Sequence, residues 1–122
     1  MSIPLGDKKF LERLLPYFRL KKIETDESDS KQQWPDIWVS FQRYPPIIVV
    51  TKEWKKQSYH ERRKRLVHEG LHLVGLEHPS GGGVKIGNLY YSTFPKEDSF
   101  SKAVYLDILR NSQKWSPRRF GL

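Results

Sequence analysis

The chain has 122 residues, no cysteine, 37% hydrophobic residues, and 22 Lys or Arg against 14 Asp or Glu, for a formal net charge of +8. That length suits one domain with a single core and leaves no room for a second catalytic domain. Without cysteine there is no disulfide framework and no thiolate metal ligand, and no run of about eighteen apolar residues exists to span a bilayer.

In chain order, residues 7–15 read as a short helix, with Asp7 as its cap, an apolar stripe of Phe10, Leu11, Leu14 and Leu15, and Pro16 as its end. Asp7, Lys8, Lys9, Glu12 and Arg13 interrupt that stretch, so it lacks the apolar core of a secretion signal, and a cytoplasmic location is the expectation. Residues 17–23 are expected to form a strand. Residues 24–33, polar and acidic, have the profile of an exposed loop. Residues 37–41 and 47–50 are dense in β-branched and aromatic side chains, and Arg43-Tyr44-Pro45-Pro46 between them reads as the turn of a strand pair. Four consecutive apolar residues in the second strand imply burial on both faces.

Ser58 and Glu61, three residues apart, form a capping box that starts a helix near Tyr59. Its first half, residues 60–65, is almost wholly polar, whereas its second half carries Leu66, Val67, Leu71, Leu73 and Val74. Such a helix runs from solvent into the core. Ser80-Gly81-Gly82-Gly83 is a flexible loop by composition, and residues 99–113 form a closing helix with Phe100, Ala103, Val104 and Ile108 on one face. Together these elements make residues 1–122 one α+β domain: a small mixed sheet packed on the central helix, with N- and C-terminal helices around it.

The second half of the central helix also holds the chemistry, because three of the four histidines fall within the eleven residues His68-Glu69-Gly70-Leu71-His72-Leu73-Val74-Gly75-Leu76-Glu77-His78. Residues four apart stand one above the other on a helix, so His68 and His72 can converge on a single ion. Gly75 tolerates the left-handed turn that ends a helix, which brings His78 back toward the same point, and Pro79 discourages any helical continuation. Three protein ligands on a tetrahedral ion leave a fourth position for water, as in catalytic zinc sites. Glu69, beside the first ligand, is placed to take a proton from that water and return it to a leaving group. Carried into the core, these polar rings also require partners, which a metal ion supplies.

This run resembles the metzincin signature H-E-x-x-H-x-x-G-x-x-H at each fixed position. The resemblance implies a zincin-like fold and a metalloendopeptidase with one zinc per chain. It makes His68, His72 and His78 the ligands, Glu69 the general base, and a polypeptide in extended form along a sheet edge the substrate. Metzincins place a methionine beneath the metal, but the only methionine here is Met1, and Phe94 stands at a suitable distance downstream to form that hydrophobic floor. Tyr90 and Tyr91 are candidates for the tyrosine that stabilises the transition state in some metzincins. The run is also similar to the H-G-x-L-H-L-x-G-Y-D-H motif of the bacterial YbeY endoribonucleases, through Leu71, Leu73, Gly75 and the acidic Glu77, although that family has glycine where this chain has Glu69. The alternatives to a peptidase are therefore a zinc-dependent endoribonuclease and an inactive zinc-binding module.

Positive charge is concentrated in two stretches. Residues 52–65 hold seven Lys or Arg against two Glu, and residues 110–122 hold four with no acid. Such clusters attract nucleic acid or nucleic-acid-bound protein, anionic membrane surfaces or acidic polypeptides, and Trp54, Tyr59 and Trp115 among them are of the type that stacks on bases. The competing reading is a solvated basic face, since Arg62, Arg63, Lys64 and Arg65 are consecutive on a helix and point in different directions.

Overall fold

Pro4 opens the first helix with its fixed φ of −52°, and its carbonyl accepts the N–H groups of Asp7 and Lys8 at 3.0 Å each. The computed structural model describes residues 3–28, 36–40, 44–77, 85–86, 89–90, 92–93, 97–110 and 113–120. From that start α1 runs over Leu5–Tyr17, longer at both ends than its apolar stripe predicts. Pro16 lies in its last turn, where a missing N–H removes one helical bond without stopping the helix. Asp7 is not its cap. Its carboxylate is fully buried and accepts from Arg62 Nε at 2.8 Å and from Arg63 Nε at 3.2 Å.

After α1 the chain forms β1 (Glu24–Ser28), β2 (Ile37–Ser40), β3 (Ile47–Thr51), α2 (Lys52–Lys55) and α3 (Tyr59–Leu73). It continues through β4 (Leu76–Glu77), β5 (Lys85–Ile86), β6 (Leu89–Tyr90), β7 (Ser92–Thr93) and α4 (Glu97–Arg110) to a 3-10 turn at Pro117–Phe120. Two sequence expectations change here. The strand expected over residues 17–23 is displaced to Glu24–Ser28, inside the stretch expected to be a loop. Acidic residues conceal it because β1 is an edge strand whose Thr25 and Asp26 face solvent, where charge also blunts unwanted pairing. Residues 29–33 and the Gly-rich 80–83 lie outside the described residues.

The main sheet has the order β1-β3-β2, with β1 parallel and β2 antiparallel to β3. Ile47 lies opposite Glu24 and Ser40, and Val50 opposite Glu27 and Ile37. As the central strand, β3 buries Ile48 and Val50 completely and half-buries Ile47 and Val49. Thr51 then turns the chain: its hydroxyl caps Trp54 N–H at 3.4 Å and donates to the Asp36 carbonyl at 2.7 Å. Trp54 is fully buried, with Nε1 donating to the Arg62 carbonyl at 3.2 Å, so it belongs to the core and offers no surface for a base.

Helix α3 starts where the capping box places it, with the Ser58 hydroxyl accepting Glu61 N–H at 3.3 Å. The sheet packs on it through β2, while α1 and α4 pack on its other sides. Leu66, Val67 and Leu71, all fully buried, join Leu14, Val50 and Val104 in one core. Each such side chain contributes about 1.5–3 kcal/mol by leaving water. On α4 the buried face is Phe100, Val104, Tyr105 and Ile108; Ala103, expected on it, is exposed.

The C-terminal segment closes over the ends of α1 and α4. Trp115 N–H donates to the Tyr17 carbonyl at 2.8 Å, and its ring packs among Phe18, Phe100 and Phe120. Asp107 receives both guanidinium nitrogens of Arg119, at 2.8 and 3.2 Å, and the Tyr17 hydroxyl at 2.7 Å. These bonds, Arg119 first, hold the Asp107 carboxyl below its ordinary pKa.

Gly70 sits where α3 passes close to the end of α1: a Cβ there would lie 2.8 Å from Phe18 Cε2 and 3.3 Å from Leu14 Cδ2. Phe18 is wedged between Tyr17 and Trp115 and cannot retreat. Gly70→Ala is therefore expected to destabilise the fold by about 1–3 kcal/mol through overpacking, against which alanine's helix preference returns at most about 1 kcal/mol. A urea midpoint at or above that of the parent chain would contradict this. Because the Asp107 pKa is depressed on folding, its stabilisation is fully present above the unfolded carboxyl value of about 4 and is lost as pH falls through the lower folded value. Asp107→Asn should consequently lower the thermal midpoint at neutral pH, with the gap closing in acid; a gap that persists unchanged below both pKa values would sink the assignment.

Candidate metal centre

Around an α-helix each residue is rotated by about 100° from the last, so His68 and His72 share one flank of α3 with Glu69 beside them. Gly70 faces α1 from roughly the opposite side, about 160° away. That phase lets one helix bury an apolar face against α1 while carrying imidazoles on another. His68 and His72 are half-buried and Glu69 is buried, 5% exposed.

One ligand atom from each of His68, Glu69 and His72 can be chosen so that all three lie within 4.8 Å of one another. The imidazole centroids are 4.6 Å apart and the rings are nearly perpendicular, at 88°. Ligand atoms on a tetrahedral ion at 2.0–2.1 Å lie about 3.4 Å apart, so small side-chain rotations bring the group onto one ion. Edge-to-face rings leave their in-plane lone pairs able to converge, where a parallel stack would not.

The tautomer of His72 supplies a second indication. Its Nδ1 lies 2.7 Å from the Leu76 carbonyl oxygen, and since a carbonyl only accepts, Nδ1 carries a proton and Nε2 is the nitrogen left to offer a lone pair to a metal. An imidazole tied to a backbone carbonyl in this way is the usual companion of a metal-ligating nitrogen. Leu76 reaches that position because Gly75 adopts φ 107°, a left-handed value that costs glycine nothing. Two imidazoles and a carboxylate are a donor set for first-row divalent cations. The residues therefore fit a metal ion.

Glu69, read from the sequence as the base beside the first ligand, has its carboxylate within the same 4.8 Å group as both histidine nitrogens, near enough to reach a bound ion or a water next to it. His78, Tyr91 and Phe94 lie outside the described residues, and Tyr90 is placed by its backbone in β6. Strand β7 pairs in parallel with β4, setting Ser92 opposite Leu76 and Thr93 opposite Glu77. Ser92 and Thr93 thereby lie beside the strand that follows the helix carrying His68, Glu69 and His72.

Two participants escape a reading of the sequence. One is the Leu76 carbonyl, a backbone group for which only the Gly75 turn gives a signal. The other is the pair of Arg65 Nη1 with Asp36 Oδ1, 2.9 Å apart and one helical turn before His68. Asp36 is 3% exposed, and its carbonyl accepts both the N–H and the hydroxyl of Thr51. The pair ties β2 to the flank of α3 that carries the metal group. Its partners are 29 residues apart, so no local pattern announces it.

No protein-family model matches the chain, and comparison with curated proteins and with solved structures returns no match.

The chain should bind one divalent first-row ion, read by elemental analysis after zinc is offered and excess removed. His72→Ala should weaken that binding by more than about 100-fold, since loss even of a ligand's hydrogen-bond partner costs about 10–100-fold. Equal metal content in the parent and in a His68→Ala/His72→Ala variant would exclude the site.

Proposed function

We propose that the chain is a zinc-dependent hydrolase of peptide bonds, with His68 and His72 as ligands, His78 as the third ligand and Glu69 as the general base. The observation that carries this reading is the grouping of a buried carboxylate with two imidazoles, one of them held by the Leu76 carbonyl with its Nε2 lone pair directed away from that bond. A zinc ion bound there would supply Lewis acidity, polarising the scissile carbonyl and making water acidic enough to lose a proton near neutral pH.

The remaining work belongs to the chain. Glu69 Oε takes the proton of the attacking water and delivers it to the departing amide nitrogen, converting a poor leaving group into an amine. Burial of Glu69 keeps competing bulk water away from that transfer. Strand β2 is an edge of the main sheet among the described residues and packs against α3, so its outer backbone groups are positioned to pair with an extended polypeptide. The Asp36–Arg65 pair fixes the separation between that strand and the metal group. Tyr90 or Tyr91 would stabilise charge on the carbonyl oxygen, and Phe94 would floor the site.

The endoribonuclease alternative draws on the net charge of +8, and Glu69 argues against it because the similar ribonuclease motif has glycine there. Glu69→Gln removes a base while leaving both histidines in place. It is expected to retain bound zinc and to lose at least about 100-fold in cleavage of an unfolded protein substrate, the usual contribution of a positioned general base. Undiminished cleavage by that variant would remove Glu69 from the mechanism. Chelator-sensitive cleavage of structured RNA with no proteolysis would transfer the site to the ribonuclease reading.

A further inference from the structure

The geometry points to a phosphate-backbone binding face for nucleic acid, built from the end of α1, the end of α4 and the C-terminal segment, and separate from the metal group. The first clue is where charge is cancelled. Of the seven cations in residues 52–65, six meet acids: Lys55 with Glu27, Lys56 with Glu53, Arg62 and Arg63 with Asp7, Lys64 with Glu61, and Arg65 with Asp36. Five acids thus offset this stretch of seven cations and leave it a net +2, the smaller part of the excess.

The second clue is where charge accumulates. Residues 13–22, 107–110 and 113–120 contain Arg13, Arg19, Lys21, Lys22, Arg110, Lys114, Arg118 and Arg119 against one acid, Asp107. All eight cations are exposed. The rest of the chain holds fourteen Lys or Arg and thirteen Asp or Glu, so these three segments account for nearly the whole excess. Folding brings them together. Arg13 donates to the Ile108 and Leu109 carbonyls, Arg19 to the Trp115 carbonyl, and Arg119 to Asp107 and to the Lys114 carbonyl.

Arg13 and Arg19 are anchored by carbonyls, so they are held in place with their full charge. Arg19 is held there at some cost, because its φ of 56° is left-handed, a conformation that costs a non-glycine residue about 1–2 kcal/mol. The resulting array is fixed on two helix ends and a strapped segment, which limits the entropy lost when an anion docks.

The kind of anion follows from what surrounds the charges. Five of the eight are arginines, whose planar forks match phosphate. Trp115 and Phe18 are buried in the packing beneath, and the large apolar side chains at the surface of this end of α4 are Leu106, 40% exposed, and Leu109, 38% exposed. An acidic protein needs a central aromatic or well-packed apolar anchor, and a bilayer needs a broad inserted apolar face; two leucines one turn apart make neither. A phosphate backbone needs only the cations, and without a free aromatic for stacking its binding is independent of base sequence. The face adjoins α1, which packs on the side of α3 away from His68 and His72, so a nucleic acid bound there leaves the metal group open.

The full-length chain is tested by fluorescence anisotropy against a labelled mixed-sequence DNA duplex over a range of KCl concentrations. The association constant should fall with salt with a logarithmic slope of about −4 or steeper, as neutralisation of four or more phosphates requires. Lys21→Gln/Lys22→Gln/Arg118→Gln should flatten the slope by about 3 and weaken binding at least about tenfold. Lys8→Gln/Lys9→Gln/Lys52→Gln removes equal charge elsewhere and should leave the slope nearly unchanged. Glu69→Gln should bind as the parent does, which separates this face from the hydrolase reading. Absence of duplex binding at low salt, equal losses in the two triple variants, or tighter binding to polyglutamate or to phosphatidylserine vesicles would each overturn the proposal.

Discussion

The hydrogen bond from His72 Nδ1 to the Leu76 carbonyl couples the chemistry of the site to the path of the chain. On one side it decides which nitrogen of the ring keeps a lone pair. On the other it requires the backbone to reverse within a few residues of the end of α3, which only a left-handed residue at position 75 allows without strain. The same reversal directs β4 alongside β7 and so sets Ser92 and Thr93 beside Leu76 and Glu77. A ligand tautomer, a glycine conformation and a strand pairing are thus one constraint seen at three scales.

Parts of this arrangement were legible before any coordinates. The capping box set the start of α3 because Ser58 and Glu61 interact within one turn, and the pairing of β2 with β3 was visible because both strands are apolar and close in sequence. The histidine spacing was legible for the same reason: residues four apart are neighbours on any helix. What stayed hidden depends on contacts between distant segments. Asp7 has the type and position of a helix cap, yet it serves as the buried counter-ion of two arginines more than fifty residues away. Strand β1 carries no hydrophobic alternation because its role is to cover one edge of β3 with polar side chains outward. Ala103 falls on the expected apolar stripe of α4 but faces out, because Tyr105 takes the interior place beside Phe10 and hydrogen-bonds His60.

Electrostatics shows the same division. Counted along the sequence, residues 52–65 form the strongest basic cluster, at a net +5, and counted with the acids that meet it in space it falls to +2. Asp7, Glu27 and Asp36 come from three separate elements to meet it. Each of these pairs also joins secondary structures: α1 to α3, β1 to α2, and the start of β2 to α3. Removing one partner of a largely buried pair leaves a charge with costly desolvation, so such pairs discriminate against other packings even where their net stabilisation is small.

The strand order of the main sheet has a bearing on how the chain is made. Since β3 lies between β1 and β2 and pairs with both, the first two strands to leave the ribosome have no ladder to join until residues 47–51 emerge. During that interval the acidic side chains of β1 keep its edge soluble and uninviting to other nascent chains. The placement of β3 between its two neighbours also brings Thr51 to the Asp36 carbonyl and so braces the carboxylate that anchors Arg65.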